Sequence, residues 1–259
     1  MSAVPVHTTA RVIAIVNQKG GVGKSTTAVN LGASLALLGQ RVLVVDIDPQ
    51  GNTTTGVGVD KRAVEHDIYN VLLQRLPIAE AMRPTEVENL SIVPATLNLA
   101  GAEVELVSVL QRENRLKIAL SSVLDAYDII LIDCPPSLGL LTVNALTAAH
   151  EVIIPVQAEY YALEGLSQLV AIVRRIKEGL NPDLTIRGVL ITMFDGRTKL
   201  ATEVLEEVHR YFPDRVFHTQ IPRNIRLSEA PSYGKPAILF DVRSRGAQAY
   251  LSLARELSA

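Results

Sequence analysis

Short unbroken apolar runs alternate along this chain with longer segments in which apolar residues recur every three or four positions. The runs Val12 to Val16, Arg41 to Val45, Leu90 to Val93, Asp128 to Asp133, Val152 to Val156 and Val189 to Met193 have the pattern of strands buried on both faces of a parallel sheet. Helical spacing follows the first run at Ala28, Leu31, Leu35 and Leu38, and further helices are predicted around Glu113 to Leu124, Leu141 to Ala149, Leu163 to Lys177 and Ala201 to Tyr211. Strand and helix alternate throughout. Right-handed crossovers then give an α/β fold, a single doubly wound, mostly parallel β-sheet with helices on both faces and the ends of several strands gathered along one edge. The 259 residues suffice for one large domain, predicted over residues 11–259, while residues 1–10, with Pro5 and several small polar side chains, read as a disordered tail.

Between the first strand and its helix lies Asn17-Gln18-Lys19-Gly20-Gly21-Val22-Gly23-Lys24-Ser25-Thr26. Glycines let a backbone wrap a phosphate with its N–H groups turned inward, and a helix N-terminus adds partial positive charge. In such a loop Lys24 reaches the β- and γ-phosphates and the Ser25 hydroxyl suits Mg²⁺. The stretch Lys19, Gly20, Gly21, Val22, Gly23, Lys24, Ser25 and Thr26 is therefore the candidate nucleotide site. The common phosphate-loop pattern would place a glycine where this chain has Gln18, so the match is to a deviant Walker A loop of a P-loop NTPase. Lys19 belongs to the deviation. With Lys24, a helix dipole and a metal already facing the triphosphate, a second lysine is surplus within one subunit.

Two further runs end in acids. Val42 to Val45 closes on Asp46-Ile47-Asp48-Pro49-Gln50-Gly51, and Ile129 to Ile132 closes on Asp133. Open parallel sheets bind ligands at these carboxyl ends. An acid at Asp133 fits the Walker B role of holding the water shell of Mg²⁺.

With these motifs the chain resembles the ParA/Soj partition ATPases, in the wider group that includes MinD and the nitrogenase iron protein. The loop matches that family's K-G-G-x-G-K-[ST]-T. The likeness extends through Pro94-Ala95-Thr96 with Ala100 to Glu103, Pro155 to Gly165 and Ile221 to Pro231, covering nearly everything from Arg11 onward. It implies that Lys19 crosses to the partner's phosphates in an ATP-dependent homodimer that sandwiches two nucleotides. Gly20 would then lie where the two loops come closest. It also implies that Asp48 orients or polarises the attacking water, that Asp46 sits near Mg²⁺, and that Ser25, Asp46, Asp48 and Asp133 form the metal set, partly through water. Pro222 and Asn224 would lie beside the adenine, and Arg197 and Arg226 on a surface that binds double-stranded DNA without sequence preference. A ParB/Spo0J-type protein would stimulate hydrolysis, and chromosomal members of the family add DnaA as a candidate partner.

Composition narrows this picture. A formal charge of −2 gives no global attraction to nucleic acid, so a local patch is required. Its candidates, late in the chain, are Arg197, Lys199, Arg215, Arg223, Arg226, Lys235, Arg243 and Arg245. With no Trp and few other aromatics, base stacking gives way to backbone contact with a duplex. The single cysteine, Cys134, excludes an internal disulfide and a cluster bridged by two cysteines per subunit, and fits a reducing cytoplasm. The five histidines show no metal-ligand spacing. No apolar run is long enough to cross a bilayer and Met1 to Ala10 lacks a signal-peptide core, so the expected locale is cytoplasmic and nucleoid-associated, with no membrane partner. Two other functions were weighed. A MinD-like membrane positioner would need a basic amphipathic terminal helix, and Ala249 to Ala259 holds one Arg and one Glu. A biosynthetic enzyme of the same fold would need a substrate pocket that no constellation of residues announces.

Overall fold

The computed structural model describes residues 9–159 and 162–259. Its frame is a seven-stranded sheet of β1 (Arg11–Ile15), β2 (Val42–Asp46), β3 (Arg83–Pro84), β4 (Leu90–Val93), β5 (Ile129–Asp133), β6 (Glu151–Gln157) and β7 (Thr185–Thr192), in the order β3-β4-β2-β5-β1-β6-β7. All neighbours run parallel except β3, which pairs antiparallel with β4 at the edge. All six predicted strands are present. The two-residue β3 was not expected, because Pro84 gives no strand signal and is tolerated at an edge where its missing N–H is not needed.

Alternation along each strand builds two cores. Val12 and Ala14, Leu43 and Val45, and Ile130 and Ile132 point to one side; Ile13 and Ile15, Val42 and Val44, and Ile129 and Leu131 point to the other. On this second side the helix Lys24–Leu37 packs with the C-terminal helix Arg245–Ser258, and Tyr250, fully buried, meets the Thr27 hydroxyl at 3.0 Å. The first side carries the helices Ile68–Gln74, Arg115–Leu120, Leu140–Ala148 and Ala162–Gly179.

Several boundaries differ from the sequence reading. The helix expected over Glu113 to Leu124 narrows to Arg115–Leu120, with tight single turns at 112–114 and 124–126. β7 stops at Thr192 because Met193 takes φ +50° and turns the chain out of the sheet. Of the segment read as a tail, residues 1–8 lie outside the described residues, as do Tyr160 and Tyr161 of the Pro155 to Gly165 block. Ala10 is buried and donates its N–H to the Leu124 carbonyl, so order extends to it.

Candidate active site

β1, β2 and β5 all end at one cleft of about 610 Å³, whose lining includes Gly20, Lys24, Ser25, Thr26 and Asp48. Residue type and backbone agree in the loop. Gly21 and Gly23 have φ +75° and +91°, a region that side-chain-bearing residues rarely enter. Gly23 caps the helix Lys24–Leu37 with no side-chain hydrogen bond, and the first turn holds no acid, so its amides remain available to an anion. Gly20 is different. Its φ is not positive and a Cβ built on it meets nothing within 4 Å among the described residues, which give no steric reason for a glycine there.

The two lysines occupy different settings. Lys24 is buried and its Nζ donates to the Lys19 carbonyl at 3.1 Å, holding the loop closed on itself. Burial lowers its affinity for a proton, opposed by the charges of Asp133 and Asp48. Lys19 projects from the loop, about half exposed, and pairs with Glu159 just past β6. Asn17 braces the turn: its Nδ2 donates to the Pro155 carbonyl at 2.7 Å and its Oδ1 accepts from the Lys19 N–H at 2.9 Å.

The three acids fall into place by strand register, since Asp46 and Asp133 are direct partners at the ends of β2 and β5. Asp133 is fully buried; one oxygen accepts from the Thr53 hydroxyl at 2.7 Å and the other has no hydrogen-bond partner. Burial pushes its carboxyl above the usual carboxylate range, against the Thr53 and Ser25 hydroxyls. An orphaned carboxylate oxygen beside a serine and a lysine at the foot of a phosphate loop is a place for a cation. Asp48 lines the cleft, nearly buried, with Oδ1 accepting from the Gln50 N–H at 2.9 Å. Asp46 sits deeper than the sequence suggested. One of its oxygens accepts from the Thr54 N–H at 2.8 Å and hydroxyl at 2.7 Å, the other from the Asp48 N–H at 3.1 Å, and it does not line the cleft. Burial, then the neighbouring Asp133, raises its pKa. Asp46 thus ties the segment after β2 down, Asp48 lines the cleft, and Asp133 lies fully buried beside Asp46 with one oxygen unpartnered. Gly51 turns the chain from Asp48 into the helix Asn52–Gly56, with φ +60° and room for no side chain, since a Cβ would stand 2.7 Å from the Ala95 carbonyl.

Pro222 and Asn224 border a smaller recess of about 280 Å³ that shares Gly23, Thr26 and Met193 with the phosphate cleft. Asn224 caps the short helix Ile225–Glu229, its Oδ1 accepting from the Arg226 N–H at 3.0 Å. The basic residues do not form one surface. Arg197, Arg223 and Arg245 surround a groove of about 830 Å³. Arg226 is outside its lining, held by Glu229 at 2.8 Å and Asp241 at 3.3 Å; Lys235 lines the nucleotide cleft instead. The sequence reading missed Asn17, Thr53, Thr54, Glu159 and Lys61, which lines the cleft and donates to the Gln50 carbonyl at 2.6 Å. Only the threonine run after Asp48 offered a signal, as short hydroxyls next to two buried acids.

Comparison with known proteins agrees with this geometry. A family profile described as an AAA domain matches residues 10–186. Over 249 residues the chain is 61% identical to the sporulation initiation inhibitor protein Soj of Bacillus subtilis, covering 96% of this chain and 98% of that protein. The chain belongs to the ParA/Soj family of partitioning ATPases. It is 56% identical over 250 residues to the chromosome partitioning protein ParA of Myxococcus xanthus, covering 96% of this chain and 88% of that one. Among solved structures, cobyrinic acid a,c-diamide synthase from Mycobacterium smegmatis with bound ATP analogue and magnesium superposes with a TM-score of 0.85 at 39% identity, over 96% of this chain and 94% of that one. The cell division ATPase MinD of Pyrococcus furiosus gives 0.81 at 26%, over 96% and 98%. As a ParA/Soj ATPase the protein works on ATP with Mg²⁺. When bound, the metal neutralises charge on the phosphates, and the unpartnered oxygen of Asp133 fits that need.

Proposed function

We propose that ATP joins two copies of this chain, that the dimer binds duplex DNA without sequence preference, and that a ParB/Spo0J-type partner releases it by stimulating hydrolysis. The observation that carries the reading is the contrast at Lys19 and Gly20. A lysine projects from the loop where one buried lysine already serves the phosphates, beside a glycine that none of the described residues requires. A second copy facing the loop accounts for both. Within each subunit, Lys24 and the amides at the start of its helix hold the phosphates, Ser25, Asp48 and Asp133 hold Mg²⁺, and Asp48 orients the attacking water. The recess beside Pro222 and Asn224 takes the adenine. The groove between Arg197, Arg223 and Arg245 supports contact with a phosphate backbone, doubled when two subunits join.

Light scattering in Mg²⁺ with a non-hydrolysable ATP analogue, with ADP and without nucleotide tests the cycle, with DNA retardation run in parallel. A dimer that retards DNA only with the ATP analogue is expected, and a persistent monomer at saturating analogue overturns the proposal. Asp48→Ala should still dimerise on ATP while releasing phosphate about a hundredfold more slowly.

The neighbour named cobyrinic acid a,c-diamide synthase favours a second reading, in which ATP phosphorylates a small substrate. Phosphate release with no added metabolite argues for the first reading. A membrane role finds no support in the C-terminal helix, whose apolar residues Tyr250, Leu253 and Leu257 are already covered within the fold. Among the described residues no helix is long and apolar enough to cross a bilayer.

A further inference from the structure

A separate cavity, of about 380 Å³, opens between the helices Ile68–Gln74 and Arg115–Leu120 and shares no residue with the nucleotide cleft. Val71, Leu76, Ile78 and Ile118 give it apolar walls, Arg75 and Arg115 give it two cations, and no carboxylate is among its lining residues. Arg115 is only 8% exposed. Its Nε donates to the Leu72 carbonyl at 2.8 Å in the last turn of the neighbouring helix. Its two terminal nitrogens make no hydrogen bond within the described residues, neither is sealed from solvent, and the residue lines the cavity.

A buried guanidinium without a counter-ion is costly, and a second arginine beside it adds repulsion. Burial and then the charge of Arg75 both lower the affinity of Arg115 for its proton. Capping the helix occupies one donor of five and explains neither the cavity nor Arg75. Planar guanidinium groups match carboxylate and phosphate oxygens two at a time, and cavities from roughly 300 Å³ upward accept small ligands.

We propose that this cavity binds a small organic anion, a carboxylate or phosphate on an apolar body, with its acid group between Arg115 and Arg75 and its body against Val71, Leu76, Ile78 and Ile118. The site is independent of the nucleotide cycle proposed above.

Calorimetry on the full chain saturated with Mg²⁺ and ADP, so that the phosphate loop is filled, tests this with 4-bromobenzoate, 4-bromophenyl phosphate and the neutral 4-bromobenzamide. Saturable binding of at least one acid is expected, with the amide about tenfold weaker or worse. A bromine anomalous peak beside Ile118 in soaked crystals would place the ligand. Arg115 also caps a helix, so Arg75→Gln carries the decision: it should weaken the acid about tenfold or more at unchanged melting temperature. Binding of neither acid, equal binding of the amide, a bromine peak elsewhere, or unchanged affinity in Arg75→Gln overturns the proposal.

Discussion

Gly20 and Gly21 are adjacent and chemically identical, yet they answer to different constraints. Gly21 is held by its backbone at φ +75°, whereas Gly20 has an ordinary conformation and meets none of the described residues within 4 Å of where a Cβ would stand. Gly21→Ala should therefore lower the stability of the monomer by about 1 kcal/mol, from strain in the left-handed region. Gly20→Ala should leave stability within about 0.5 kcal/mol of the parent, as for a surface change that touches nothing. Calorimetric melting without nucleotide checks both. If two loops meet across a dimer, Gly20→Ala should also lose ATP-driven association, and normal association in that variant would place the loop away from the interface.

The segment after β2 shows how much of a site depends on what holds an element down. Thr54 gives Asp46 a hydroxyl bond at 2.7 Å and accepts from the Ala95 N–H at 2.9 Å, so one side chain ties together β2, its own helix Asn52–Gly56 and the loop after β4. Thr54→Val keeps the shape and removes both bonds inside a buried site. It should cost about 1–3 kcal/mol, read as a lowered denaturation midpoint. None of this was legible in the sequence. The buried strands were, because an uninterrupted apolar run has few other solutions, and so were the loop and Asp133, because glycine spacing and an acid at a strand end carry their chemistry in residue type. Asp46 and Asp48 look alike in the sequence; only the fold shows that one anchors through Thr54 while the other lines the cleft. The C-terminal helix enters the sequence reading only through the membrane role that its composition speaks against, because its covering partner, Lys24–Leu37, lies more than two hundred residues away in the chain.

At the scale of the molecule a net charge of −2 leaves any hold on DNA to local geometry. Both arginines that the family likeness singled out are ion-paired, Arg197 to Asp195 at 2.7 Å and Arg226 to Glu229 and Asp241, but Arg197, with its side chain 90% exposed beside the groove, is the better placed of the two. Arg197→Glu should abolish DNA retardation in the ATP state while dimerisation persists, and the parent's affinity should fall steeply as salt rises. Retardation that survives Arg197→Glu would move the DNA surface elsewhere on the chain.

The last helix lies against the first, through Tyr250 and Thr27, and the Arg11 guanidinium reaches the Leu257 carbonyl at 3.2 Å. Segments more than two hundred residues apart are thus sewn together directly behind the loop that receives the nucleotide. During synthesis that loop emerges more than two hundred residues before the helix that braces it. A nascent chain stalled short of residue 250 therefore carries every recognisable ATP motif while lacking the wall those motifs lean on.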